Sequence, residues 1–158
     1  MGRISRRCRN NALPWRHTSP VRELAQLCTM AGAWTIRGYA MFSLIRRDTG
    51  EWIGRVGPWY PDGWPAQEVG WGVRREYAGQ GYALEAAKAS IDYAFDVLGW
   101  DKVIHIIDPE NTASIALAER LGSVNQGPTN MPTPFETFRV DAYGQSKEEW
   151  AARKPAQA

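Results

Sequence analysis

The chain has 158 residues, 44% of them hydrophobic, 23% charged and 8 of them Trp, a length that suits one domain with a real core and leaves too little for a second of ordinary size. Its formal charge of +2 conceals an asymmetry: Arg3, Arg6, Arg7, Arg9, Arg16 and Arg22 stand in an acid-free opening of 22 residues, which leaves 13 basic against 17 acidic residues, or -4, in the remainder. A mildly acidic body argues against a nucleic-acid binder that neutralises phosphates over a broad face, Cys8 and Cys28 alone give no disulfide framework, and no apolar run reaches transmembrane length, so a cytoplasmic protein without a membrane partner is expected.

Residues 1–20 show no periodicity and read as a basic arm, with a single domain over 21–158. Val21, Leu24, Cys28 and Ala31 recur at spacings of three and four, which predicts a short amphipathic helix. Aromatic and branched residues flank Asp48-Thr49-Gly50, which predicts a hairpin of strands 39–47 and 51–56. GPWYPDGWPAQ, with three prolines, reads as a loop, and EVGWGV as a strand with Val69, Trp71 and Val73 on one face. Leu84, Ala87, Ile91, Ala94, Phe95 and Leu98 keep the helical period from Gly81 until Gly99 closes it. DKVIHII reads as a buried strand, and Asn111 or Thr112 caps a helix that ends at Gly122. SVNQG and PFETFRVDAYG supply two more strands. The order predicts an α+β fold with a mixed sheet, in which a right-handed crossover joins two parallel strands.

Gly79, Gly81 and Ala83 alternate between the EVGWGV strand and the long helix. A helix N-terminus presents unpaired N–H groups and about half a positive charge, and a bare backbone lets a phosphate reach them; a tight turn needing positive φ is the plainer alternative. A Walker loop is excluded because Tyr82 and Ala83 follow Gly81, and a dinucleotide fingerprint because Leu84 stands where a third glycine is required.

DPENTASIALAERLGS follows the next strand, and with AGQGYA it resembles the GCN5-related N-acetyltransferase (GNAT) superfamily, in particular the branch of ribosomal-protein N-terminal acetyltransferases. The similarity runs over about residues 38–125; Ala78 stands where the family has Gln or Arg, and the first 20 residues do not resemble the branch's opening strand. It implies a mostly antiparallel, twisted sheet with a central parallel strand pair and flanking helices. It also implies acetyl-CoA as acetyl donor, with its pyrophosphate on the N–H groups of Ala78, Gly79, Gln80, Gly81, Tyr82 and Ala83, Arg74 and Arg75 near outer phosphates, and Asn111 and Ser114 beside the pantetheine. No metal is implied. Ala78 implies a weaker grip on the cofactor rather than none.

An amine acceptor must lose a proton before it attacks, and Glu68 at the head of the central strand is the first choice of general base, with pairing to a neighbouring Arg as its plainer role. His105, between Val103 and Ile107, reads as a core histidine. Backbone N–H groups of Trp71, Gly72 and Val73 would hold the oxyanion where the parallel strands splay. Many family members carry a tyrosine seven residues after the Asn; that position is Ala118, and the branch suggests Ser114 as the acid. Trp59, Tyr60 and Trp64, with Trp52, crowd the central loop and would wall the acceptor site. The expected activity is N-acetyl transfer to a small-molecule amine or a protein N-terminus, with a homodimer left open. The alternatives are a catalytically silent CoA-binding module and an RNA-associated protein using the basic arm.

Overall fold

The computed structural model describes residues 20–153. The arm expected over 1–20 lies outside them except for Pro20, which already opens a helix. The elements in chain order are α1 (Pro20–Arg37), β1 (Phe42–Ile45), β2 (Trp52–Trp59), β3 (Glu68–Val73), a short 3-10 turn (Arg75–Tyr77), α2 (Tyr82–Asp96), β4 (Lys102–Ile107), α3 (Thr112–Leu121), β5 (Val124–Thr129), β6 (Val140–Ser146) and α4 (Lys147–Ala151). The six strands form one sheet in the order β1-β2-β3-β4-β6-β5. Only β3 and β4 pair in parallel, through a single register pair, Glu68 with Ile104. This is the mixed, mostly antiparallel sheet with a central parallel pair that the sequence implied.

The helix boundaries follow from local chemistry. Gly81 takes φ +90° at the start of α2, a conformation costly for any residue with a Cβ. Asn111 accepts from the Ser114 N–H at 3.1 Å to cap α3, and Gly122 ends it at φ +86°. On α2, Ala87, Ile91, Ala94 and Phe95 are buried at helical spacing and pack on Val56 and Val69 of the sheet; each large apolar side chain so covered contributes about 1.5–3 kcal/mol. The opposite face carries a second core of Ile104, Ile106, Met131, Val140 and Ala142 under Trp64, Phe135 and Phe138.

Four expectations need correction. Trp59 belongs to β2, not to a loop, because the strand continues through Gly57 and Pro58 against Gly70 and Val69. Beyond Val56 it has no β1 partner, so proline there removes no ladder donor on that side. The last strand starts at Val140; Phe135 and Phe138 lie in consecutive turns, their N–H groups bonded to Pro132 and Phe135 carbonyls. The α1 helix runs on to Arg37, and Leu24, Cys28 and Ala31 on its expected apolar side are exposed. The body is reached instead through Met30, whose sulfur accepts from Arg55, and through Trp34 against Phe42. Trp52 opens β2 and so stands roughly 20 Å of strand away from Trp59.

Candidate active site

Strand alternation divides β3 into two sets of side chains. Val69, Trp71 and Val73 share one face, as expected, and there Val69 and Trp71 pack with residues of α2 and α3, whereas Glu68, Gly70 and Gly72 face the other way. Glu68 is 6% exposed. Its Oε2 accepts from Trp64 Nε1 at 2.6 Å and its Oε1 from the backbone N–H of Ile106 at 3.2 Å. Burial raises its pKa to about 7, against the pull of the Ile106 and Trp64 hydrogen bonds and the nearby charge of Arg55. A carboxylate has about four lone-pair directions, so two remain for an incoming proton. Gly70 makes the room: a Cβ there would stand 2.6 Å from Met41 Cε and 3.2 Å from Glu68 Oε1.

On the other face, Trp71 Nε1 donates to Ser114 Oγ at 3.3 Å, which leaves the hydroxyl proton of Ser114 to point elsewhere. The Trp71 ring lies 4.6 Å from that of His105. His105 is 1% exposed, and burial lowers its pKa to about 4. Its Nδ1 lies 2.7 Å from the Val69 carbonyl and its Nε2 3.0 Å from Ser123 Oγ. A carbonyl only accepts, so Nδ1 carries the proton and Nε2 accepts from Ser123. Ala118, in place of the family tyrosine, is fully buried against Ile107 and Tyr143.

The loop before α2 is bare. Among the described residues the N–H groups of Gly79, Gln80 and Gly81 make no backbone hydrogen bond, Gly81 supplies no side-chain cap, and nothing stands within 4 Å of where a Cβ would project from Gly79 or Gly81. Ala78, Gly79, Gln80 and Gly81 are exposed, Tyr82 and Ala83 half-buried. Among the described residues these donors are left without a backbone partner and without a side chain in the way at Gly79 or Gly81, as the approach of a pyrophosphate would require. Arg74 is turned away from that space: it bonds Glu51 at 2.6 Å, the Trp52 carbonyl at 3.2 Å and Glu76. Among the described residues Arg75 makes no ion pair.

Of the aromatic residues expected at the acceptor site, Trp64 touches the Glu68 carboxylate and packs edge-on against Trp59, while Tyr60 lies exposed past the end of β2. Sequence reasoning missed Gly70, whose value lies in a side chain two residues away, and Glu51, which reaches Arg74 and Tyr77 from the β1–β2 turn. Among the described residues no group of three or more His, Cys, Asp or Glu is placed to hold a metal ion, and no helix is long and apolar enough to cross a membrane.

Comparison with known proteins identifies the family. Residues 5–124 match the family model described as the acetyltransferase (GNAT) domain, a span that begins well before the similarity visible by eye. The chain is 39% identical over 90 residues to the uncharacterized protein YkkB of Bacillus subtilis, covering 54% of this chain and 52% of that one. It is 33% identical over 119 residues to the uncharacterized N-acetyltransferase p20 of Bacillus licheniformis, covering 74% and 65% respectively. It thus spans between half and two thirds of the length of these relatives. The crystal structure of an acetyltransferase from Agrobacterium tumefaciens superimposes with a TM-score of 0.72 at 28% identity, over 82% of this chain and 74% of that one. The chain belongs to the GNAT acetyltransferase family.

Proposed function

We propose that the protein transfers the acetyl group of acetyl-CoA to a primary amine by direct attack in a ternary complex. The observation that carries this reading is the Glu68 carboxyl, buried where β3 and β4 part and titrating near neutrality. An α-amine with a pKa near 8, or a lysine-type amine near 10, reaches the site largely protonated, and a base with a pKa of about 7 is matched to remove that proton at cellular pH.

The remaining roles follow from the two faces of β3. The N–H groups of Gly79 to Ala83 would hold the pyrophosphate, with Arg75 beside the outer phosphates and Asn111 along the pantetheine arm. Acetyl-CoA, when bound, supplies an activated carbonyl on a thiol leaving group. Glu68 takes the amine proton on one face, and the nitrogen then forms its bond to the acetyl carbon. The backbone N–H groups of Trp71 and Val73, which point towards β4, would hold the negative oxygen, whereas that of Gly72 points to β2. Ser114, on the other face, gives its proton to the sulfur as the carbon–sulfur bond breaks, and the second proton shed by the new amide nitrogen restores the Ser114 hydroxyl. A thiol of pKa about 8.5 leaves tolerably without strong acid help, so the alanine at position 118 is compatible with turnover. Trp64, bonded to the Glu68 carboxylate, and Trp59, packed against it, would wall the acceptor, a small-molecule amine or a protein N-terminus.

Thiol release from acetyl-CoA, measured with a panel of polyamines, amino-terminal peptides and aminoglycosides, tests this. Release with at least one amine supports it and names the acceptor class. Thermal stabilisation by CoA without release from any amine would make the protein a silent CoA-binding module. No stabilisation at millimolar CoA would remove the cofactor assignment.

A further inference from the structure

In a parallel ladder the bonds are evenly spaced. The Ile104 N–H donates to the Gln67 carbonyl at 2.9 Å, and beyond the single register pair of Glu68 with Ile104 the next β4 donor on that edge, the Ile106 N–H, would bond the Val69 carbonyl. That bond is absent, and each of its halves is taken by a side chain from the opposite strand. Glu68 of β3 accepts from the Ile106 N–H of β4 at 3.2 Å, while Nδ1–H of His105 in β4 donates to the Val69 carbonyl of β3 at 2.7 Å. Both groups are buried, where an uncapped donor or acceptor is strongly unfavourable. Either cap alone would leave the other backbone group free to reclaim its ladder partner.

We infer that His105 is a positioning residue that, crossed with Glu68, holds β3 and β4 apart at the acetyl-transfer site. The inference rests on the reading of Glu68 as the base. The crossing keeps Glu68 at the mouth of the gap, since closing the ladder would take the Ile106 N–H away from its carboxylate. The Val69 bond orients the His105 ring, and its second nitrogen is kept from going unpaired in the core by Ser123 donating to Nε2, with Gln145 donating to Ser123 Oγ at 2.9 Å. Trp71 packs on the ring and carries Ser114 on its indole N–H, so the same imidazole supports both faces of the site.

Three variants separate this role from a purely structural one. His105→Asn retains an N–H donor near the place of Nδ1, His105→Leu removes it, and Ser123→Ala removes only the partner of Nε2. Binding of CoA by calorimetry, kcat by thiol release and the amide proton resonance of Ile106 are measured below the melting temperature of each variant. The expected result is about a tenfold weaker CoA affinity and a loss of kcat on the order of a hundredfold for His105→Leu. His105→Asn should recover most of both, and Ser123→Ala should melt earlier with both unchanged. In the wild type the Ile106 amide resonance should move with pH through about 7, the pKa of the carboxylate it touches; in His105→Leu that movement should vanish. A folded His105→Leu with wild-type affinity, kcat and amide titration overturns the inference, as does a Ser123→Ala variant equal to it. If the wild type itself releases no thiol, the catalytic reading fails, while CoA affinity and the Ile106 resonance still decide the crossing.

Discussion

The Glu68 carboxyl and the His105 imidazole are side chains of opposite sheet faces that cap the two ends of one missing backbone bond, and burial drives their proton affinities in opposite directions, Glu68 up to about 7 and His105 down to about 4. For Glu68, the folded pKa lies above the unfolded one, so its stabilisation is complete below about 4.5 and is lost as pH rises towards 7. For His105, the folded pKa lies below the unfolded one, so its stabilisation is complete above about 6.5 and is lost as pH falls towards 4. Between about pH 4.5 and 6.5 the two slopes oppose each other.

The first prediction is that this opposition hides two large terms. Wild-type stability, measured by urea unfolding, should be nearly flat over that window as far as these two groups contribute. Glu68→Gln removes one slope and should leave stability rising by about 2–3 kcal/mol from pH 4.5 to 6.5. A flat Glu68→Gln profile would mean that the imidazole is not held neutral by burial.

In the proposed role, the same carboxylate would set the rate profile. If Glu68 is the base, kcat/KM should rise with pH around a midpoint near 7. Glu68→Gln should lower kcat by about 10²–10⁴-fold and abolish that midpoint. Its CoA affinity should stay close to wild type, since the N–H groups proposed to hold the pyrophosphate lie beyond the far end of β3. Loss of CoA affinity with an intact midpoint would place the base elsewhere.

Gly81 tests the loop. At φ +90° with open space around it, Gly81→Glu costs about 1–2 kcal/mol in backbone strain and puts a carboxylate among the N–H donors. Unfolding should remain cooperative while stabilisation by CoA disappears. Persistence of that stabilisation would mean that the loop does not hold the phosphates.

How much of this was legible varied with the range of the interaction. Gly81, Asn111 and Gly122 punctuate helices by local conformation and capping, and their positions were readable from neighbours a few residues away. The capping box of α4, in which Ser146 and Glu149 bond each other's backbone N–H groups, was present in the sequence but hidden by the strand it follows. The crossing of Glu68 with Ile106 and of His105 with Val69 was not readable, because it depends on a register set by a single pair of residues 36 apart. Arg74 was expected to meet phosphates, but the hairpin turn that brings Glu51 beside it is a tertiary accident of strand length that no local pattern announces.

Glu51 gives a further prediction. It accepts from Arg74 Nη1 and from the Tyr77 hydroxyl, bracing the 3-10 turn that leads into the glycine loop before α2 from the tip of the first hairpin. The Tyr77 hydroxyl is held protonated above its ordinary range chiefly by that hydrogen bond. Glu51→Gln should change the melting temperature little, because the pair is solvated. It should weaken CoA by about three- to tenfold with kcat at saturation unchanged. An effect on kcat rather than on affinity would show that the brace reaches the reacting centre.

Ser114 and Ala118 lie one helical turn apart on α3, and only one of them has a hydroxyl. If Ser114 protonates the leaving sulfur, Ser114→Ala should lower kcat, but by about tenfold or less, because a thiolate is already a fair leaving group; the loss should grow with the basicity of the thiol when acetyl thioesters of higher pKa replace acetyl-CoA. Restoring the family's tyrosine would not compensate. Ala118 is fully buried, with Trp71, Ile107 and Tyr143 against it, so Ala118→Tyr forces an aromatic ring into a filled site and should destabilise by about 1–3 kcal/mol or more. A stable Ala118→Tyr variant with raised kcat would show instead that space for the ring exists and that the alanine alone limits the rate.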